Sequence, residues 1–236
     1  MGTWSRRSED PGATHAPGAP CARAAEAVPS RPQTTVAMGI ERWFMRTRCR
    51  RDGEVDSLPA MKRPGPDEHG EYYSTYIDRV PADRPLVDVL GEAPDELDAL
   101  LSGLPGEREH FAYEPGKWTC REVLGHVIDT ERIFSYRALH IARADSAELP
   151  GMDQVEWAAA SNAADRPIPE LLHEFRALRT ANAAFFASLD EDALSRRGVA
   201  SGAECTVRAL IHIIAGHELH HRDVLRERYL AARAED

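Results

Sequence analysis

Lysine is almost missing from this chain: Lys62 and Lys117 stand alone, and arginine supplies the rest of the 29 basic residues. With abundant alanine, that bias points to a GC-rich coding sequence and carries no mechanism. Cysteine is scarce as well. Cys21, Cys49, Cys120 and Cys205 are far apart and form no Cys-x-x-Cys pair, which argues against a disulfide framework and a thiolate zinc site and implies a reducing compartment. No apolar run reaches the length of a membrane span, and no apolar segment with a small-residue cleavage site opens the chain, so a membrane protein is not expected and the cytoplasm is the default location. There is no glycine-rich phosphate loop, no internal repeat, and after Met61 no period-two alternation of the kind strands require. Positive charge is the minority sign. The formal net charge is −10; residues 1–60 hold nine of the 29 basic and seven of the 39 acidic groups, leaving 20 and 32 on residues 61–236. So acidic a surface repels phosphate backbones and anionic lipid heads, which leaves small molecules and proteins as partners rather than nucleic acid or membrane.

What is present divides at about residue 60. From Met1 to Ala60 the sequence is rich in Ala, Pro, Gly, Ser and Arg without a sustained period, a composition that cannot bury enough apolar area to order itself. Residues 1–60 are expected to form a disordered extension, with Met38 and Met61 as alternative starts and Ile40–Arg51 as a basic stretch of amphipathic character. Residues 61–236 are expected to form one all-α domain. A short element near Tyr72–Val80 precedes a long helix over about Leu86–Leu104, ended by Pro105-Gly106. Thr119-Cys-Arg-Glu122 reads as a capping box opening a second helix to about Ala144. A short helix is predicted over Gln154–Ala160. A third long helix starts near Pro169 and runs to about Leu189, and a fourth, N-capped by Thr206, runs from Val207 to about Ala231. Four long helices make a four-helix bundle the economical architecture.

The chemistry then has to lie inside the bundle. His217-Glu-Leu-His-His221 puts two imidazoles one turn apart on one helix face, where both reach a single ion. Leu210, Ile213, Ile214, Val224 and Leu225 share that face, so His217 and His221 point inward, where unpartnered ring nitrogens are costly. The plainer alternative is a histidine-rich helix whose rings are solvated or hydrogen-bonded; His212 is expected on the opposite, solvated side and His220 at the edge. A catalytic zinc-like site wants a third protein ligand. His126, beside the apolar stripe Val123, Val127, Phe134 and Ile141, leads over His140, His173 and His110. Asp129 and Glu131 on the same helix are acid/base or supporting candidates, with solvated helix charge as the simpler reading. Read as a zincin motif, the same five residues would make Glu218 a general base. A zincin needs a further ligand downstream, however, and only fifteen residues follow His221.

Four ordered segments carry a resemblance to a known family: Tyr113-Glu-Pro-Gly-Lys-Trp-Thr119, Leu124–Phe134, Leu149-Pro-Gly-Met-Asp-Gln154 and Ile214–His221. Together they resemble the DinB-like (DinB_2) superfamily over about Met61–Leu230. The resemblance implies an up-and-down four-helix bundle and a divalent metal (zinc, nickel or iron) held by His126, His217 and His221. The family contains thiol S-transferases, metal-dependent hydrolases and DNA-damage-inducible stress-response proteins. Thiol transfer is therefore the reaction expected first, with a small-molecule thiol and an electrophile as partners; metal-assisted hydrolysis, with water in place of the thiol, is the close second, and a homodimer is one expected assembly. The resemblance also implies that the Pro150–Gln154 loop covers the site, with Asp153 as a polar contact. His217 stands where a mycothiol-dependent isomerase branch of the family has Glu, so isomerisation is not expected. A non-catalytic metal-binding interaction module is the reading from a different class.

Overall fold

The computed structural model describes residues 61–231; the expected extension 1–60, with its basic stretch, lies outside them. After 3-10 turns at Pro66–Glu68 and Glu71–Tyr73, the chain forms α1 (Ser74–Ile77), α2 (Leu86–Leu101), α3 (Gly106–Glu109), α4 (Cys120–Ala142), α5 (Gln154–Ala160), α6 (Ile168–Ala187), α7 (Glu191–Ser195), β1 (Arg197–Ala200), β2 (Ala203–Thr206) and α8 (Val207–Val224), which runs on as a wider π-type turn over Leu225–Leu230. Four long helices, α2, α4, α6 and α8, form the bundle. Going round it, α2 packs on α6, α6 on α4, α4 on α8 and α8 on α2, so α2 and α4, neighbours in sequence, lie across a diagonal.

The helix starts follow from local chemistry. At α4, Thr119 Oγ1 accepts from the Glu122 N–H at 3.3 Å while Glu122 Oε2 accepts from the Thr119 N–H at 2.8 Å, which satisfies two otherwise orphaned donors. At α8, Thr206 Oγ1 accepts from the Ala209 N–H and donates to Glu68 Oε2. Among the described residues no helix is long and apolar enough to cross a membrane.

The expectation of no strand is corrected by the β1–β2 hairpin, paired antiparallel from Arg197↔Thr206 to Ala200↔Ala203. Its two-residue turn, Ser201-Gly202, has φ of 56° and 74°, the left-handed pair a tight primed turn requires. Strands of four residues are too short to show a period. The loop after α4 is strapped to this turn: Arg137, buried on α4, donates to the Pro150 carbonyl and to Ser201 Oγ, both at 2.8 Å.

The apolar interior falls into two clusters. One gathers Leu86–Leu90, Phe134–Ala142 and Val207–Ala215; the other gathers Ala93–Leu101, Cys120–Ile128, Ile168–Phe175, Leu225 and Tyr229. Between them, at the middle of the helices, lies a polar layer. Its centre is the fully buried Arg179, which forks onto Glu131 (Nε–Oε1 2.9 Å, Nη2–Oε2 2.8 Å), while Asn182 Nδ2 donates to Glu131 Oε1 at 3.0 Å. Arg179 Nη1 donates to the Leu90 carbonyl at 3.0 Å. Pro94, inside α2, has no N–H to give that carbonyl its helical partner, so the arginine supplies the missing donor.

Candidate metal centre

The same layer carries the histidines. His126 on α4 and His217 on α8 are buried, and His221, one turn on, is partly so; one ring nitrogen from each of the three lies within 4.8 Å of the others. His126 Nε2 and His217 Nε2 face one another at 3.1 Å. Ring centroids are 5.0 Å apart for His126–His217, 4.9 Å for His126–His221 and 4.5 Å for His217–His221. The walls are aromatic: Trp118 lies tilted against His126 at 4.7 Å, and Tyr76 meets His217 edge-on at 5.3 Å.

Burial makes these rings neutral. It pushes His126 down to about 4, His221 to about 3, and His217 well below the ordinary imidazole range, the nearby histidines adding to the effect. Neutral imidazoles are the form that binds metal. His126 Nδ1 lies 3.4 Å from Thr130 Oγ1; the tautomer with Nδ1–H toward the hydroxyl leaves the Nε2 lone pair facing the other rings. Nδ1 of His221 is buried without a hydrogen-bond partner among the described residues. Converging lone pairs and an orphaned ring nitrogen form a donor set that suits a divalent ion.

The structure sets the rival histidines apart from this cluster. His110 and His173 are exposed, and His140 Nε2 pairs with Asp145 at 3.2 Å. His220 flanks the site, 4.9 Å from the His221 ring and 5.7 Å from Tyr76. His212 requires a correction. It was expected on the solvated side but is buried, its Nδ1 donating to the Arg208 carbonyl at 2.8 Å, because α1 and the 61–80 segment cover a face of α8 that an isolated bundle would leave to water. Burial holds His212 down at about 4. Unfolding restores an ordinary value of 6.5, so the unfolded chain takes the proton first and stability is lost as pH falls from about 6.5 to about 4. His212→Leu should leave metal binding intact and reduce that acid loss by up to about 3 kcal/mol, checked by urea denaturation near pH 7 and near pH 4; an unchanged acid limb would place its cause elsewhere.

An open pocket of about 390 Å³ leads to the cluster, lined by Tyr113, Lys117, Trp118, Val155, His221 and Arg228 among others. None of the four carboxylates singled out in the sequence, Asp129, Glu131, Asp153 and Glu218, lines it. Asp153 is exposed and caps α5, accepting from the Val155 and Glu156 N–H groups. Asp129 lies 3.7 Å from Arg132 and is partly solvated. Glu218 is buried, and burial pushes its carboxyl up to about 7 against the pull of Arg222 and Arg179. Its Oε1 has no hydrogen-bond partner among the described residues, and Arg222 Nε is 3.7 Å away. It belongs to the polar layer rather than to the pocket mouth. The Pro150–Gln154 loop is corrected likewise: Arg137 holds its start on the hairpin, and Val155 of α5 is what reaches the pocket.

Residues 90–225 match the model of the DinB superfamily, a span that includes all three histidines. The chain belongs to the DinB superfamily. Two relatives from Geobacillus carry the name of candidate metal-dependent hydrolases. That of G. thermodenitrificans is 26% identical over 137 residues, covering 57% of this chain and 77% of the relative. That of G. kaustophilus is 28% identical over 130 residues, covering 54% and 73%. Among solved structures, YfiT from Bacillus subtilis, described as a probable metal-dependent hydrolase with an unusual four-helix bundle topology, superposes with a TM-score of 0.55 at 18% identity, covering 60% of this chain and 84% of YfiT. That likeness establishes the four-helix-bundle fold.

Proposed function

We propose that this DinB-superfamily chain is a metal-dependent hydrolase whose ion is held by His126, His217 and His221. The observation that carries the reading is the convergence of three neutral imidazoles from two facing helices, two of them buried and His221 partly so, with ring nitrogens within 4.8 Å of one another. A divalent ion held by three neutral imidazoles supplies Lewis acidity and makes hydroxide available near neutral pH. The chain's own residues do the rest. Thr130 Oγ1 can accept from the His126 Nδ1–H, and Trp118 and Tyr76 wall the cluster on two sides. His221 lines the open pocket, so a small molecule can reach the cluster, which favours catalysis over a purely structural ion.

Hydrolysis is placed ahead of thiol transfer because both Geobacillus relatives carry the hydrolase name; the same donor set would activate a thiol. The test is metal analysis of the purified full chain, then a panel of nitrophenyl esters and anilides assayed before and after chelation, with a parallel arm offering a small thiol and an electrophile. The expected result is about one ion per chain, and hydrolysis that chelation abolishes and the ion restores. Turnover confined to the thiol arm would replace hydrolysis by thiol transfer, and absence of bound metal would sink both.

A further inference from the structure

The pocket that opens on the histidines is basic on a domain that is acidic. Of its eleven lining residues two are strong cations, Lys117 and Arg228, and none is a carboxylate, although acidic groups outnumber basic ones 32 to 20 over residues 61–236. Lys117 is one of only two lysines in the chain. Neither side chain forms a salt bridge with a carboxylate among the described residues. Arg228 instead lies over the Tyr113 ring, its guanidinium carbon 5.2 Å from the centroid, with Nη1 donating to Tyr113 Oη at 3.3 Å. A guanidinium parked on an aromatic face is pre-oriented while its remaining N–H groups stay available.

The walls are flat and apolar. Tyr113 and Tyr229 meet edge-on at 5.2 Å, and Tyr229 Oη donates to the Trp118 carbonyl at 2.6 Å, which fixes the loop that carries Lys117 and Trp118. The π-type turn over Leu225–Leu230 brings both Tyr229 and Arg228 to this side; such widened turns often mark functional positions. Aromatic walls with cations at the rim select a molecule that is apolar and flat at one end and negatively charged at the other.

We infer that this pocket takes a small anionic substrate, its charge read by Lys117 and Arg228 and its flat apolar part resting against Trp118 and Tyr113, which the buried Tyr229 backs, with the reacting group toward His221. The inference deepens the hydrolase reading and rests on it for the identity of the site. Its test is made on metal-free full-length protein, where an ion cannot itself attract the anion.

Three probes of one shape are titrated by ligand-observed NMR: phenylacetate, neutral phenylacetamide and cationic phenethylamine. Phenylacetate should bind about fivefold more tightly than the amide, as expected of one or two solvent-exposed charge contacts, the amine should bind most weakly, and the preference should shrink at high salt. In the Lys117→Ala/Arg228→Ala double variant the acid should bind no better than the amide, with amide affinity changed by less than about twofold. Lys117→Arg should keep the preference. Equal binding of all three probes, preference for the amine, or an anion preference that survives the double variant would each overturn the assignment. Because no metal is present, an intact anion preference alongside absent hydrolysis would sink the hydrolase reading and leave the anion pocket standing.

Discussion

Alanine at His217 should reduce metal affinity by more than about a hundredfold, since it removes one of three protein ligands from an ion that has few others. His126→Ala and His221→Ala should each do the same. His110→Ala and His173→Ala, at exposed positions, should leave affinity unchanged. Competition titration against a chromophoric chelator measures all five. The contrast separates convergence on one ion from a general abundance of histidine, which would give graded and interchangeable losses. His217 is the sharpest test because it is the most enclosed of the three. Its Nε2 faces His126 Nε2, its ring touches both partner rings, and burial holds it well below the ordinary imidazole range. Tight stoichiometric binding that survives all three substitutions would remove the site, and with it the hydrolytic mechanism.

Gly216→Ala should destabilise the fold by about 4 kcal/mol or more, a severity reserved for substitutions with no room to relax. A methyl at Gly216 would overlap the Tyr76 carbonyl outright and meet the Tyr76 Cα at 3.0 Å. The obstacle is backbone, so no rotamer change relieves it. The segment that ends in α1 would have to lift from α8, taking with it the Tyr76 ring that walls His217 and the cover over His212. Urea denaturation should show the loss, together with faster proteolysis between residues 61 and 80. An alanine variant of wild-type stability would mean that this segment is not seated on α8 as described.

Much of this was legible in the sequence, because the signals that place long helices are local. Thr119-x-x-Glu122 and Thr206 cap helices where the pattern predicts, α5 spans the expected Gln154–Ala160, and His217 and His221 face inward with their apolar neighbours. His126 was reachable once a pair of partners existed, since two helices of a bundle can share one ion. The misreadings come from contacts between distant residues. His212 looks solvated on a helical wheel because a wheel cannot know that residues 61–80 fold back over that face. Asp153 looks available until its own helix claims its carboxylate. The hairpin's strands are shorter than any period. Pro94 did carry a signal that went unread: a proline inside a helix leaves the carbonyl four residues earlier without a donor, and a buried arginine is one of the few groups able to supply it from a neighbouring helix.

The polar layer between the two apolar clusters has a consequence for how the helices can be misassembled. A purely apolar bundle tolerates one helix sliding along another by a turn, about 5.4 Å, because leucine replaces leucine at the seam. Here such a slip of α4 would carry Glu131 to the height now held by Phe134 or Val127 and leave Arg179 charged and without its carboxylate in an apolar interior. Stranding one partner of a buried ion pair costs about 3–5 kcal/mol. The layer therefore works as a detent: α4 and α6 engage at one height, and that height is the one at which His126, a little over one turn before Glu131 on the same helix, stands level with His217.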